Sequence, residues 1–168
     1  MKQNLPLIMT KNGADNFQTP PVALKPLFPF ISKSWTIWES ACGKGYLVDE
    51  LVKNGYKVEA SDVLTGGDYF INQPDGWDCS ITNPPFSKKN EWIERTYELD
   101  KPFALLLPLA GLETQRRQKQ WKKGLQLIVL DKRLHFETPN NAKSHCWFAS
   151  AWFTYKLNLP KDIIFGEI

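Results

Sequence analysis

Cysteine is scarce in this chain of 168 residues: its three thiols, Cys42, Cys79 and Cys146, lie far apart. An odd number of widely spaced cysteines supports neither a disulfide framework nor a zinc site. Histidine is scarcer still. His135 and His145 lack Cys or His partners at ligand spacing, so no metal centre is expected. Long apolar runs are also missing; the longest, Phe103 to Leu107, is far too short to cross a bilayer, and no membrane partner is expected. The opening stretch MKQNLPLIMT is interrupted by Pro6 and has no small-residue cleavage site, which predicts a product that stays in the cytoplasm. Internal repeats, low-complexity tracts and Gly/Ser linkers are absent, so the length suits one domain. What is abundant is apolar and aromatic, at 42% and 13% of residues, which excludes a disordered chain.

Charge is unevenly placed. The net charge is +3, yet Arg116, Arg117, Lys119, Lys122 and Lys123 face a single acid between Glu113 and Lys123, leaving the rest near neutral. One basic segment on a neutral body suits a local polyanion contact, and equally a solvated helix face.

Turn chemistry divides the chain into an α/β order. Thr19-Pro20 reads as a cap and first helical residue before a short helix over 21–28. WTIWE (35–39) reads as a strand that runs through Ser40-Ala41-Cys42-Gly43-Lys44-Gly45 into a helix over 46–53, closed by Asn54-Gly55. A second strand, 56–61, ends at Asp62, completing a right-handed βαβ unit. Only five residues then separate Asp62 from Asp68, too few for a helical crossover, so a third parallel strand is predicted to be rudimentary or missing. WDCSIT (77–82) reads as a buried strand stopped by two prolines, followed by a helix over 88–99 capped by Asn90 or Ser87. A buried strand over 103–107, the basic helix 113–123 and a strand over 125–131 follow. The aromatic strand 147–157 then closes the fold as an antiparallel edge. Ligands are expected at the carboxyl ends of the parallel strands.

Two turns carry chemistry. Gly43 and Gly45 let backbone approach a ligand closely, or simply form a tight βα turn. Glu39 beside them would repel a pyrophosphate and suits a cationic amino group, while Asp62 can accept from ribose hydroxyls. Asn83-Pro84-Pro85-Phe86 is sharper. Prolines lock the backbone, so the Asn83 side-chain oxygen and the Pro84 carbonyl can accept both hydrogens of one planar NH2 group, and Phe86 offers a face for stacking. That receptor fits a base amine or an amide; the bland alternative is a Pro-Pro turn with a core Phe.

The chain resembles S-adenosylmethionine-dependent DNA adenine-N6 methyltransferases, of the small kind encoded by bacteriophages and prophages. Phe17-Gln18-Thr19-Pro20, ESACGKG (39–45), Ala60-Ser61-Asp62-Val63, Asp68-Tyr69-Phe70 and Asn83-Pro84-Pro85-Phe86 carry the likeness, in family order over the first half of the chain. The resemblance implies a class I methyltransferase (Rossmann-like) three-layer fold with a mostly parallel sheet, in one domain without a separate target-recognition region. It implies S-adenosylmethionine as cofactor. Phe17, Thr19 and Pro20 would lie at its methionine end, with Glu39, Ala41, Cys42, Gly43 and Gly45 as floor. Asp62 and Val63 would meet the ribose, Asp68 the adenine amine, and Tyr69 with Phe70 the adenine ring. Asn83, bordering both ligands, would hold the target base with Pro84, Pro85 and Phe86. Where the family's commonest glycine turn has Phe and a further Gly, this chain has Ala41 and Cys42; Cys42 reads as a small filler.

The implied reaction methylates the adenine amine in DNA on a flipped-out base. N-P-P-aromatic motifs also serve adenine in RNA and glutamine amides in proteins, and a non-catalytic cofactor- or DNA-binding module is the other alternative. For nucleic acid, Arg116, Lys119 and Lys123 share a helix face with Arg117 beside them; Lys88, Lys89, Lys132, Arg133 and Lys143 would extend the patch. Trp121 on that helix reads as core. The segment 132–145 is the candidate reader of neighbouring bases, in a monomer or a homodimer. The resemblance further implies protection of phage DNA from host restriction as the purpose.

Overall fold

Residues 17–137, 143–145 (backbone only) and 148–168 are described by the computed structural model of the protein. After a 3-10 helix over Pro21–Phe30, the first unit follows the turn chemistry closely: β1 (Thr36–Glu39), α1 (Tyr46–Lys53) and β2 (Lys57–Ala60), with Asn54 and Gly55 ending α1. No strand forms between Asp62 and Cys79. Only a short 3-10 turn, Val63–Thr65, lies there, and β2 is left at the sheet edge. Next come β3 (Cys79–Thr82), α2 (Lys89–Glu98), β4 (Phe103–Pro108), α3 (Gln115–Trp121), β5 (Gln126–Leu130), β6 (His135–Glu137), β7 (Lys143–His145), β8 (Ser150–Tyr155) and β9 (Ile163–Gly166).

Seven strands form one sheet in the order β2-β1-β3-β4-β8-β5-β9. All neighbours are parallel except β8, which is antiparallel to both β4 and β5. Strand alternation separates two cores. Ala104 and Leu106 of β4 pack towards Leu47 and Leu51 of α1 and Leu24 and Leu27 of the first 3-10 helix. Phe103, Leu105 and Leu107 pack towards Trp92, Ile93 and Tyr97 of α2 and Trp121 of α3. Helices therefore cover both faces, giving the expected three layers, and the parallel strands β1, β2 and β3 bring Glu39, Asp62 and Asn83 to one end.

Several expectations are corrected. The aromatic strand is not an edge: β8 lies between β4 and β5, and β9, absent from the sequence reading, forms that edge. The reason is visible in Ala151, Trp152 and Phe153, apolar residues of both parities that are all fully buried and need cover on two faces. The first helix is 3-10 rather than an ordinary α-helix. It contains Pro26 and Pro29, which lack the donors an α-helix interior uses, and its cap position is Pro20 with no side-chain bond from Thr19. The cap position of α2 is taken by Lys88, not by Asn90 or Ser87. The basic helix is shorter than expected, because a 3-10 turn over Leu109–Leu112 precedes it and Thr114 caps it. Finally, part of the expected loop is an antiparallel ribbon of β6 and β7.

Candidate functional site

A cavity of about 580 Å³ opens at the carboxyl ends of β1, β2 and β3. Its floor is Glu39, the last residue of β1 and only 1% exposed. The Thr82 hydroxyl donates to Glu39 Oε1 at 2.5 Å and the Ala41 amide donates to the same oxygen at 3.1 Å. Burial dominates nonetheless. It pushes the carboxyl up to about 7, against the two donors, with a small further rise from Asp62.

The glycine turn hangs above that floor. Gly43 and Gly45 have φ of +49° and +84°, which side chains resist. Around Gly45 there is open space, so conformation alone demands glycine; at Gly43 a Cβ would also come within 2.6 Å of the Gln18 side chain. The turn is tied from three directions. The Gly43 amide donates to Asp62 Oδ2 at 2.9 Å, the Lys44 amide to Gln18 Oε1 at 2.8 Å, and the Cys42 amide to the Ser61 carbonyl at 3.1 Å. Asp62 Oδ1 accepts from the Leu64 amide at 2.9 Å, so this carboxylate shapes the turn that it also presents to the cavity. Burial, Glu39 and Asp62 all raise the Cys42 thiol, which fits a filler and not a nucleophile.

One wall is aromatic. Phe70 is half-buried and stands edge-on to Trp92, centroids 5.5 Å apart. Tyr69 lies behind it: its ring stacks on Trp92 at 4.0 Å, its hydroxyl shares a 2.7 Å hydrogen bond with Thr96, and it is 2% exposed. Asp68 Oδ1 accepts from the Phe70 amide at 2.9 Å, and Lys88 Nζ sits 5.6 Å from the Phe70 ring centre.

The opposite side is the proline turn. Asn83 and Pro85 line the cavity, while Pro84 is buried behind them. The Asn83 side-chain oxygen is screened from water and has no hydrogen-bond partner. Phe86 begins a 3-10 turn, Phe86–Lys88, outside the cavity lining and edge-on to Phe148 at 6.1 Å.

Of the expected cofactor residues, Phe17, Thr19, Glu39, Ala41, Cys42, Gly43, Asp62, Val63, Asp68, Tyr69, Phe70 and Asn83 border this one cavity; Pro20 and Gly45 do not. Lys44, Tyr46 and Trp92 border it too, though sequence reasoning passed over them. Trp92 follows from the buried face of a helix that starts beside the proline turn, a signal that was there to read. Glu137 had none: 91 residues from Tyr46, it accepts the Tyr46 hydroxyl at 2.8 Å and pairs with Lys44.

Among the expected nucleic-acid residues, Arg116, Lys119 and Lys123 all lie near the Glu94 carboxylate. Arg117 is buried, donating to Asn90 Oδ1 at 2.8 Å and to the Ala110 carbonyl at 3.0 Å. Arg116 is held by both oxygens of Glu94, at 2.7 Å each, and by Glu91 at 3.2 Å. Lys119 and Lys123 are exposed, Lys123 resting over the Tyr97 ring. Lys89 is half-buried, and burial with Arg117 nearby lowers its ammonium. Lys132 donates to the Ile168 backbone oxygen at 2.8 Å, and Arg133 is exposed. The Lys143 side chain lies outside the described residues. Trp121 is core as expected, its indole donating to the Gly111 carbonyl at 3.1 Å.

No protein-family model and no curated protein matches the chain. Solved structures do match. A protein described as a class I S-adenosylmethionine-dependent methyltransferase from Listeria monocytogenes is 18% identical with a TM-score of 0.57, covering 94% of this chain and 68% of that one. The methyltransferase subunit of a type I restriction-modification system from Streptococcus thermophilus is 15% identical with a TM-score of 0.56, covering 93% and 48%. A dimethyladenosine transferase from Plasmodium falciparum is 14% identical with a TM-score of 0.52, covering 82% and 62%. The chain thus spans about half the length of the restriction-modification subunit. Its fold is that of class I methyltransferases.

Proposed function

We propose that the protein transfers a methyl group from S-adenosylmethionine to the exocyclic N6 amine of adenine in DNA, on a base turned out of the stack. The observation that carries this reading is the buried, unpartnered side-chain oxygen of Asn83, on a residue lining the same cavity as Glu39 and the glycine turn. A buried acceptor without a donor costs about 1–3 kcal/mol, and a ligand NH2 group removes that cost. Because the oxygen is screened from water, the base reaches it only after a neighbouring side chain moves aside.

The residues present fit the cofactor. Glu39, ionised, suits its cationic amino group; Asp62 and Asp68 have oxygens for ribose hydroxyls and a base amine; Phe70 offers a flat ring to adenine. Bound there, the cofactor supplies an electrophilic sulfonium methyl. Asn83 and the Pro84 carbonyl, accepting both amine hydrogens, raise electron density on a nitrogen whose lone pair is otherwise delocalised into the ring. Positioning and electrostatics then do more than a strong base. Flipping the base costs a few kcal/mol, and stacking on Phe86 offsets about 1–3 kcal/mol of it. Exposed Lys88, Lys119, Lys123 and Arg133 remain as phosphate contacts. We read the chain as a single catalytic domain whose base-reading surface is the segment around the β6–β7 ribbon, which predicts a short or relaxed sequence preference.

The test is incubation with radiolabelled S-adenosylmethionine and, separately, plasmid DNA, RNA and a protein mixture. Label recovered as N6-methyladenine from DNA is expected. Label in RNA or protein alone would redirect the reading to those substrates, and cofactor binding without any transfer would make the protein a binding module.

A further inference from the structure

We infer that Glu137, which lies outside the cavity lining, is a positioning residue that holds the glycine turn in its ligand-binding shape. The inference rests on the proposed cofactor site and adds to it a residue from the distant ribbon.

The turn from Cys42 to Tyr46 has a specific mechanical problem. Two of its residues are glycines at positive φ, and glycine has more alternative backbone states than any other residue. Left to itself, such a turn samples many shapes, and each shape other than the bound one weakens ligand affinity in proportion to its population. Local bonds within the turn are few; the Gly45 amide donating to the Cys42 carbonyl at 2.7 Å closes one tight loop. The remaining order is imposed from outside.

Asp62, Gln18, the Ser61 carbonyl and Glu137 impose it. Asp62 and Gln18 line the cavity, so they serve ligand and turn together. Glu137 serves the turn alone. Its Oε1 pairs with the Lys44 ammonium and its Oε2 accepts from the Tyr46 hydroxyl at 2.8 Å, so one carboxylate bridges the last part of the turn and the first residue of α1. These two partners hold its own carboxyl below the usual carboxylate range. The backbone of Glu137 is fixed as well. Its amide donates to the Gln18 carbonyl at 3.1 Å and its carbonyl accepts from the Gln18 amide at 2.9 Å. That exchange sets the Gln18 side chain where its Oε1 meets the Lys44 amide and where it fills the space a Cβ on Gly43 would take. Glu137 therefore reaches the turn twice, directly through its carboxylate and indirectly through Gln18.

The experiment compares cofactor binding by titration calorimetry and steady-state kinetics in wild type, Glu137→Ala and Glu137→Gln, alongside Tyr46→Phe. Thermal melts of each establish folding. The expected result is an S-adenosylmethionine Kd raised about fivefold in Glu137→Ala, the size of an exposed charged tether. Glu137→Gln should recover part of this by still accepting from Tyr46, and the loss in Glu137→Ala should appear in the cofactor Kd and KM ahead of kcat. In Glu137→Ala, Tyr46→Phe should have no further effect on Kd, because its partner is already gone. A wild-type protein that binds the cofactor, with Glu137→Ala binding equally well, overturns the inference. So does a loss confined to kcat, or a loss in Glu137→Ala that Glu137→Gln does not recover. A wild-type protein that binds no S-adenosylmethionine overturns the proposed cofactor site instead, so the two failures are told apart.

Discussion

At the cavity, the Asn83 side-chain oxygen is buried with no donor, and both donors to buried Glu39 fall on one oxygen, Oε1. Between α2 and α3 the reverse holds. Buried Arg117 is engaged by Asn90 and the Ala110 carbonyl, and Arg116 by the carboxylates of Glu94 and Glu91. The first region leaves acceptor capacity open at Asn83 and Glu39; the second closes most of the capacity of its charged groups. A charge run in sequence is thus a poor guide to where a ligand binds, since what counts is capacity left over after folding. Substitution can attack that contrast from either side.

The largest effect is expected at Asn83. Asn83→Ala should lower methyl transfer by about 100-fold or more, the scale of losing one acceptor or donor aimed at the reacting group, while cofactor Kd stays within about twofold. Single-turnover transfer and calorimetry on the same preparation measure both. A large loss of cofactor affinity would place Asn83 in the cofactor site instead of the base site.

Glu39 gives the next effect, through pH. Its folded pKa of about 7 lies above the ordinary carboxylate value, so the folded state holds this proton more tightly than the unfolded chain. The stabilisation from that proton is present below pH 4.5 and disappears as pH rises through 7, a change of about 3 kcal/mol. Glu39→Gln should flatten this part of the stability profile, as followed by denaturant melts between pH 5 and 8. For cofactor binding the slope is opposite. A cationic amino group selects the ionised carboxylate, so affinity should rise about tenfold from pH 6 to 8 and lose that rise in Glu39→Gln. Asp62 is the charged group acting on Glu39, and it raises the carboxyl further.

How much of this was legible beforehand follows the range of the forces involved. The β1–turn–α1–β2 unit could be read because each boundary is set by neighbours in sequence: glycines at positive φ, Asn54-Gly55 after α1, two prolines after β3. Even the missing third strand was visible, as a gap too short to cross the sheet. The residues of those turns that border the cavity could be read with them. What escaped was long-range choice. Whether an aromatic strand lies at an edge or in the middle depends on what covers its second face, and β9 supplies that neighbour only in three dimensions. Ala151, Trp152 and Phe153 did hold a clue, because an edge with one solvated face would alternate. Glu137 held none, since its partners Gln18, Lys44 and Tyr46 are remote in sequence.

The helix pair offers two smaller tests. Arg117→Met should cost about 1–3 kcal/mol by leaving Asn90 and the Ala110 carbonyl without their buried donor, with transfer activity at low temperature unchanged. Equal stability in the Met variant would mean that the bonds to Asn90 and Ala110 contribute nothing net.

The smallest expected change is at Arg116, and it bears most directly on the contrast. If its charge is already neutralised by Glu94 and Glu91, Arg116→Gln should leave the salt dependence of DNA binding unaltered. Lys119 and Lys123 are exposed, and replacing both with Gln should flatten the slope of log K against log salt by about 1.8, from roughly 0.9 per phosphate contact. A slope that falls with Arg116→Gln would show that DNA phosphates outcompete the two carboxylates, making the ion pair a latent contact. A slope indifferent to all three would leave α3 as a solvated face, with phosphate binding assigned to Lys88 and Arg133.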